Sequence, residues 1–551
     1  MRVVCSGAGP EKGSGTVPAF AWGIMNILVI NLTRFGDLLQ SQPVFTELAA
    51  DGNRTALVAL ENFTAAAGLL RHVDQVFALP GAGLLRAVGE DWREALVRFR
   101  EFAAGIRGQF APHRVINLTP SVAARVLARH LAQGEVSGFG LDDEGFGRNS
   151  SAWASFLEIS SANRGVSPFN IVDLFRHAVG LGRRPAVSDL GAMADGDREA
   201  AGHRLQRAAP EGTRGFVGFQ LGASQDARRW PVEYFARLGE AVWEDRRLTP
   251  VLLGAKGEKE LAKRYLAACR APAVNLCGET SLTELAAVTT CLKALCTNDT
   301  GTMHLAAGLG TPVMAFFLAT AQPFDTGPYR AGSASLEPDM ACHPCSFGAD
   351  CPFDRACRRS IRPETAREAL FSFLDAGVFR VRDHAGSRVW ESFVDAHGFM
   401  DLRSLSGHGR DDRTAWLTLL RDVFRQFLDE ETVSVQGPTL ALSPQAVRDI
   451  RAVCGDSAGL LRLLAGQAQV LASLRQPGIK DKFMATWRRL HAMWNANPRF
   501  QAMGYLWMHL SQAPGVDVTA LGRLIERFAA LVAAMEARVG AGEGDAGTGI
   551  E

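Results

Sequence analysis

The feature that most constrains this chain is an alternation of strand-like and helix-like segments that starts, stops and starts again. From Asn26, short apolar runs at Ile27–Ile30, Ala56–Leu60, Gln75–Leu79 and Arg114–Leu118 alternate with helical patterns such as Leu38–Ala50 and Val122–Leu131. Buried β runs separated by amphipathic helices predict a parallel sheet covered on both faces. A helical pattern at Ile171–Leu181 leads into a Gly/Arg/Pro/Asp-rich passage, Gly182–Asp197, which reads as a linker. The alternation then resumes with strands at Phe216–Gln220, Val251–Gly254, Ala273–Leu276, Ala294–Thr297 and Val313–Phe317 and helices between them. Two such arrays in series predict two doubly wound lobes facing a cleft.

Beyond Ala376 the strand pattern ends, and long helical segments follow at Thr414–Leu428, Ala458–Leu474, Phe483–Asn495 and Val518–Val539. The expected organisation is an extension or mis-assigned start at 1–24, a first lobe at 25–185 and a second at 186–378. An all-α region at 379–540 and a flexible tail at 541–551 complete it. Phe483, Trp487, Trp494, Tyr505, Trp507 and Met508, interleaved with Arg488, Arg489 and Arg499, fit the core of a helical bundle; the alternative is an interfacial membrane face.

Composition narrows the function classes. A formal net charge of +1 over 551 residues supplies no global attraction to nucleic acid. Ten scattered cysteines are not a secreted disulfide framework and suit a reducing cytoplasm. Gly23–Leu32 is too short to span a bilayer, and the first 24 residues lack the basic and apolar regions of a secretory signal.

The chemistry concentrates in Asn298-Asp299-Thr300-Gly301-Thr302-Met303-His304-Leu305-Ala306-Ala307, between a buried strand and an apolar helix. A strand end, a glycine turn and a helix N-terminus present free backbone N–H groups and about half a unit of positive charge, which suits a diphosphate. The same pattern also fits a capped βα turn in which Asp299 or Thr300 is only the N-cap.

With Gly310-Thr311-Pro312 following, this run resembles the donor-binding signature of glycosyltransferase family 9, the lipopolysaccharide heptosyltransferases. Arg34-Phe35-Gly36-Asp37 before Pro43 resembles the family's first βα loop. Gly222-Ala223-Ser224 with Arg228-Arg229-Trp230-Pro231 and Phe235 resembles its second-lobe loop, and Gly254 with Glu258 its next strand end. The resemblance covers about Asn26 to Ala376. It implies an α/β, GT-B-like fold of two Rossmann-like lobes, acceptor lobe first and nucleotide-sugar lobe second.

The resemblance further implies inverting transfer of a sugar, ADP-heptose being the family's donor, to a lipid-linked lipopolysaccharide core acceptor at the inner face of the cytoplasmic membrane. Asp37 is then the base that deprotonates the acceptor hydroxyl; without the resemblance the plainer reading is a helix-capping residue. Arg34 contacts acceptor or phosphate. Arg228, Glu258, Asp299, Thr300, Gly301 and His304 hold the donor, Glu258 at the ribose. Arg228 stands where the family usually has Lys, a planar fork for a point charge, and Phe317-Leu318-Ala319-Thr320 departs from the family's F-G-x-T. No cofactor is required. Cys342, Cys345, Cys351 and Cys357 have spacing for a structural metal, against the plainer reading of reduced thiols or a local disulfide. Asp195-Gly196-Asp197 mimics the D-x-D of metal-dependent transferases but reads as a surface loop.

The rival readings are a family member using another nucleotide sugar and another glycan or protein acceptor, and a catalytically silent sugar-nucleotide-binding module whose helices recruit a partner. A nucleotide-sugar epimerase would want a compact Gly-rich turn early in the first lobe, which Asn31-Leu32-Thr33-Arg34 does not supply.

Overall fold

The computed structural model describes residues 24–163, 165, 167–191, 193–473 and 478–541. The readings of the N-terminal extension and the flexible tail, residues 24 and 541 apart, lie outside the described residues.

The first lobe holds a six-stranded sheet of β1 (Asn26–Ile30), β2 (Arg54–Leu60), β3 (Gln75–Leu79), β4 (Arg114–Asn117), β5 (Ser137–Leu141) and β6 (Gly147–Asn149), in the order β3-β2-β1-β4-β5-β6. Ile27, Leu28, Val29 and Ile30 are all fully buried, as a central parallel strand covered on both faces requires. The expected helix at Leu38–Ala50 is two helices, Phe35–Gln40 and Gln42–Ala50, broken at Ser41 with Pro43 in the first turn of the second. Proline has no N–H to continue a helix and suits a new start.

The second lobe carries an eight-stranded sheet of β7 (Phe216–Gln220), β8 (Thr249–Leu253), β9 (Val274–Asn275), β10 (Ala294–Asn298), β11 (Val313–Phe316), β12 (Ala334–Pro338), β13 (Ser387–Val394) and β14 (Met400–Ser404). Its order is β14-β13-β12-β11-β10-β7-β8-β9, parallel from β12 to β9 and antiparallel at β12–β13 and β13–β14. The expectation that strands end beyond Ala376 is therefore corrected: β13 and β14 extend this sheet past residue 378. Charged residues hid these strands from a hydropathy reading. Glu337, in the middle of β12, is fully buried, and its carboxylate accepts hydrogen bonds from Trp390 and Arg413. Glu391 of β13 pairs with Arg403 of β14.

Leu190 in the linker donates its N–H to Gly308 of the second lobe (2.9 Å), and Gly191 donates to Leu69 of the first (2.7 Å), so the linker is pinned to both. Asp195-Gly196-Asp197 is not a loop but the exposed first turn of the helix Asp195–Ala208. Carboxylates there complement the helix dipole.

The C-terminal region returns to the first lobe. Helices Asp412–Leu428, Pro444–Ser473, Ile479–Ala496, Gln501–Ser511 and Val518–Ala537, with the short parallel pair β15 (Leu440–Leu442) and β16 (Val539–Ala541), share one apolar core with Trp153, Phe156, Phe169 and Phe175. Phe156 meets Phe424 edge-on at 5.6 Å. Trp153 Nε1 donates to Asp429 (2.7 Å) and His509 reaches Glu158 (3.1 Å). Phe483, Trp487, Trp494 and Trp507 are buried within the bundle, so these aromatics form its core and do not face a lipid headgroup layer. Among the described residues no helix is long and apolar enough to cross a membrane.

Candidate functional site

Both lobes place their motifs at topological switch points. In the first sheet the order reverses at β1, between β2 and β4; in the second it reverses at the β7–β10 pair. Loops leaving the carboxyl ends of such strands form the crevice where ligands bind in doubly wound folds. The loop after β1 carries Arg34 and Asp37, the loop after β7 carries Gly222 to Trp230, and the loop after β10 carries Asp299 to His304.

The second-lobe loops interlock. Asn298 at the end of β10 donates from Nδ2 to the carbonyls of Leu221 (3.0 Å) and Gly222 (3.2 Å), and its Oδ1 accepts from the Trp230 N–H (2.8 Å). One buried amide thereby fixes two neighbouring loops. Trp230 itself is structural, stacked on Phe316 at 4.1 Å with its Nε1 donating to the Ile361 carbonyl.

Glu258 folds back over the strand ends. Its carboxylate accepts from the Ala255 N–H (2.8 Å) and from Gln220 Nε2 (3.1 Å), and Gln220 Oε1 accepts from Thr302 (3.2 Å). A Cβ on Gly222 would lie 1.5 Å from Glu258 Oε1, and one on Gly254 would lie 2.7 Å from Oε2. Both motif glycines are therefore demanded by this carboxylate. Glu258 stands at the N-cap of the helix Lys259–Ala268, but its side chain makes no cap bond there.

Of the adjacent Arg228 and Arg229, Arg228 faces the β10 turn. Arg229 turns back to donate to the Ala223 carbonyl (3.1 Å), whereas Arg228 pairs with Asp299 and reaches Ser224 (3.3 Å). Arg228 Nε is buried with no hydrogen-bond partner in the structure. Thr300 is the N-cap of the helix Gly301–Gly308 yet makes no side-chain cap bond. An uncapped helix N-terminus beside a guanidinium is a ready anion site.

The first lobe meets this turn directly. A Cβ on Gly36 would lie 3.1 Å from the His304 ring and 3.2 Å from Gly301 Cα, and one on Gly301 would overlap the Phe35 ring. His304 is buried in this contact. Arg34, the N-cap of the Phe35–Gln40 helix, is exposed. Asp37, in the first turn of that helix, lines a cavity of about 240 Å³ together with Ser160, Ser161 and Ser167 of its own lobe and Asp325 and Thr326 of the other. Arg228, Glu258 and the Asp299–His304 turn do not line that cavity, so the predicted residues fall into two adjacent groups joined at Gly36 and Gly301.

Sequence reasoning missed Gln220, the structural role of Asn298, and Asp325. Gln220 closes a strand and Asp325 lies in a short Pro-led helix, Pro323–Thr326, so neither carries a local signal. The Leu318 departure is also explained: its side chain is fully buried in the second-lobe core.

Among the described residues no group of three or more His, Cys, Asp or Glu is arranged to hold an ion. Cys342 and Cys351 are exposed and Cys357 is buried. Burial, and then the neighbouring Cys357, Cys342 and Cys351, raise the Cys345 thiol above its ordinary pKa, which favours a neutral thiol.

Two facing doubly wound lobes with motifs at both switch points define a GT-B-type architecture. Residues 106–355 match the model of glycosyltransferase family 9 (heptosyltransferase). It is 35% identical over 113 residues to lipopolysaccharide heptosyltransferase 2 of Escherichia coli, covering 19% of this chain and 31% of that one. It is 30% identical over 165 residues to lipooligosaccharide heptosyltransferase 2 of Campylobacter jejuni, covering 29% and 50%. The matched segments thus span a third to a half of these relatives' length. A family 9 glycosyl transferase structure from Veillonella parvula superposes with a TM-score of 0.52, covering 65% of this chain and 99% of that one at 18% identity, and shares its fold.

Proposed function

We propose that this chain is an inverting glycosyltransferase that moves a heptose from ADP-heptose to a lipopolysaccharide core acceptor. The observation that carries the reading is the packing of Phe35 and Gly36 on Gly301 and His304, which sets the Asp37 cavity beside the uncapped helix and Arg228. In the reaction the acceptor hydroxyl attacks the anomeric carbon, its proton passes to the Asp37 carboxylate, and the bond to the diphosphate breaks with its electron pair leaving on ADP. The Gly301 and Thr302 backbone N–H groups and Arg228 meet that growing charge. Asp299 orients Arg228, because a carboxylate at the phosphates themselves would repel them. Glu258, held by Ala255 and Gln220, receives the ribose hydroxyls. The acceptor is lipid-linked in this reading and the chain works at the membrane surface.

Calorimetry with ADP, GDP, UDP and CDP, and with Asp299→Ala as control, tests the donor. The expected result is selective ADP binding weakened at least tenfold in the variant, the scale of a lost charged hydrogen bond of about 1.5–3 kcal/mol. Binding of another nucleotide overturns the ADP assignment, and binding of none overturns the donor site.

A further inference from the structure

The two faces of the first-lobe sheet are finished differently. Ile27 and Val29 of β1 point into the core shared with the C-terminal helices, whereas Leu28 and Ile30 point into a separate core under the helices Gly81–Glu90, Trp92–Gln109 and Val122–Leu131. Among the described residues no part of the C-terminal region joins that second core, and its three helices carry apolar side chains outward. Leu85 is 76% exposed, Val88 59% and Trp92 58%, and Leu96, Val97, Val122 and Val126 are exposed with them. Trp92 is the one exposed tryptophan among the described residues. Apolar side chains gathered on one outer face mark an interaction surface.

The charge of this face selects its partner. Residues 81–131 hold eight arginines, no lysine and four acidic residues, a balance of +4 where the whole chain has +1. At 3.6 residues per turn, Leu96, Arg93, Val97, Arg100 and Arg107 fall within about 100° of one another around the helix Trp92–Gln109, and Glu94 and Glu101 fall outside that arc. The arc adjoins the helix Val122–Leu131, since Arg107 donates to the His130 carbonyl. There Val122, Val126 and Arg129 continue it at i, i+4 and i+7. Arg93 and Arg98 meet Asp91 and Glu94, but among the described residues Arg86, Arg100 and Arg107 make no ion pair. The Arg93 guanidinium also lies 4.8 Å from the centre of the Trp92 ring. Exposed indole and aliphatic groups flanked by arginines suit the boundary between acyl chains and anionic headgroups.

We infer that the outer face of these three helices docks the chain on an anionic lipid surface, with Trp92 and Leu96 entering the headgroup layer and Arg86, Arg93 and Arg100 meeting lipid phosphates. The position agrees with the site. The helix Gly81–Glu90 starts at the carboxyl end of β3, and a Cβ on Gly81 would lie 3.0 Å from Leu60 at the same end of β2; the Asp37 loop leaves this sheet edge too. The inference deepens the proposed function, and its purpose rests on the lipid-linked acceptor of that reading.

Flotation of the full chain with phosphatidylcholine vesicles, with and without anionic phosphatidylglycerol, tests it. The expected result is binding to the anionic vesicles that weakens about tenfold in Trp92→Glu with Leu96→Glu, and again in Arg86→Gln with Arg100→Gln. Leu463→Glu, at an exposed position of the C-terminal region, is expected to bind as wild type does. No binding by wild type, equal binding to both kinds of vesicle, or an equal loss in Leu463→Glu overturns the inference. A wild-type dimer that Trp92→Glu with Leu96→Glu splits into monomers, seen by sedimentation velocity, overturns it in favour of a second copy. All the substituted side chains are exposed, and an unchanged melting temperature verifies that each variant is folded. Vesicle binding needs neither donor nor turnover, so its failure leaves the ADP calorimetry untouched and a failed ADP assignment leaves the docking face standing.

Discussion

The two lobes build their shares of the site in opposite ways. In the second lobe, Asn298, Gln220, Glu258 and Arg228 bind one another's loops through bonds of 2.8 to 3.3 Å, and Gly222 and Gly254 exist to let Glu258 approach. In the first lobe, one short helix presents Asp37 to a cavity whose other polar walls come from Ser160, Ser167 and, across the cleft, Asp325. A nucleotide-like ligand with fixed shape suits the preorganised lattice. A variable acceptor suits walls supplied by several elements. The difference teaches that one side of the cleft is set by motif, the other by assembly.

The sharpest way to break this comparison is Asp37→Asn. Transfer is expected to fall by about a thousandfold, within the range of general base removal, while ADP affinity measured by calorimetry stays unchanged. A parallel loss of ADP binding would show that the first lobe shares the donor lattice. Gly222→Ala probes the other side: its Cβ forces Glu258 away, and ADP affinity is expected to drop about tenfold with little change in thermal stability.

Acid titration sharpens the role of the C-terminal region. Burial would raise the Glu158 pKa, but His509, Asn149 and Arg125 together hold it down at about 2. A depressed carboxylate contributes stability that is present above its unfolded pKa, near 4.5, and is lost as pH falls toward 2. Glu158→Gln is expected to lower the melting temperature at pH 7 and to flatten the loss between pH 4.5 and 2. The smallest effect belongs to Arg228→Lys, which restores the cation usual in the family. ADP affinity is expected to remain within about threefold, because one Lys donor can still meet Asp299 and a phosphate; a larger loss would mean that the planar fork of Arg228 is needed.

Much of the second lobe was legible before any coordinates. β7 spans the predicted Phe216–Gln220, and β10 and β11 differ from their predicted ranges by one residue, because fully buried parallel strands read as unbroken apolar runs. β12 and β13 were not legible. Glu337 and Glu391 sit where a hydropathy pattern expects apolar residues, and only the arrival of Arg413 and Arg403 makes their burial tolerable. Asp325 gave no warning for a similar reason: its place beside Asp37 depends on the lobes meeting.

By itself the sequence determined the two βα arrays, the glycine turns and the charged groups at their strand ends, since these follow from local periodicity and from backbone geometry within a few residues. Only the tertiary structure decided that the C-terminal helices return to the first lobe and that Arg228 rather than Arg229 faces the β10 turn. Those arrangements join residues far apart in the chain, through packing and ion pairs that no local pattern encodes.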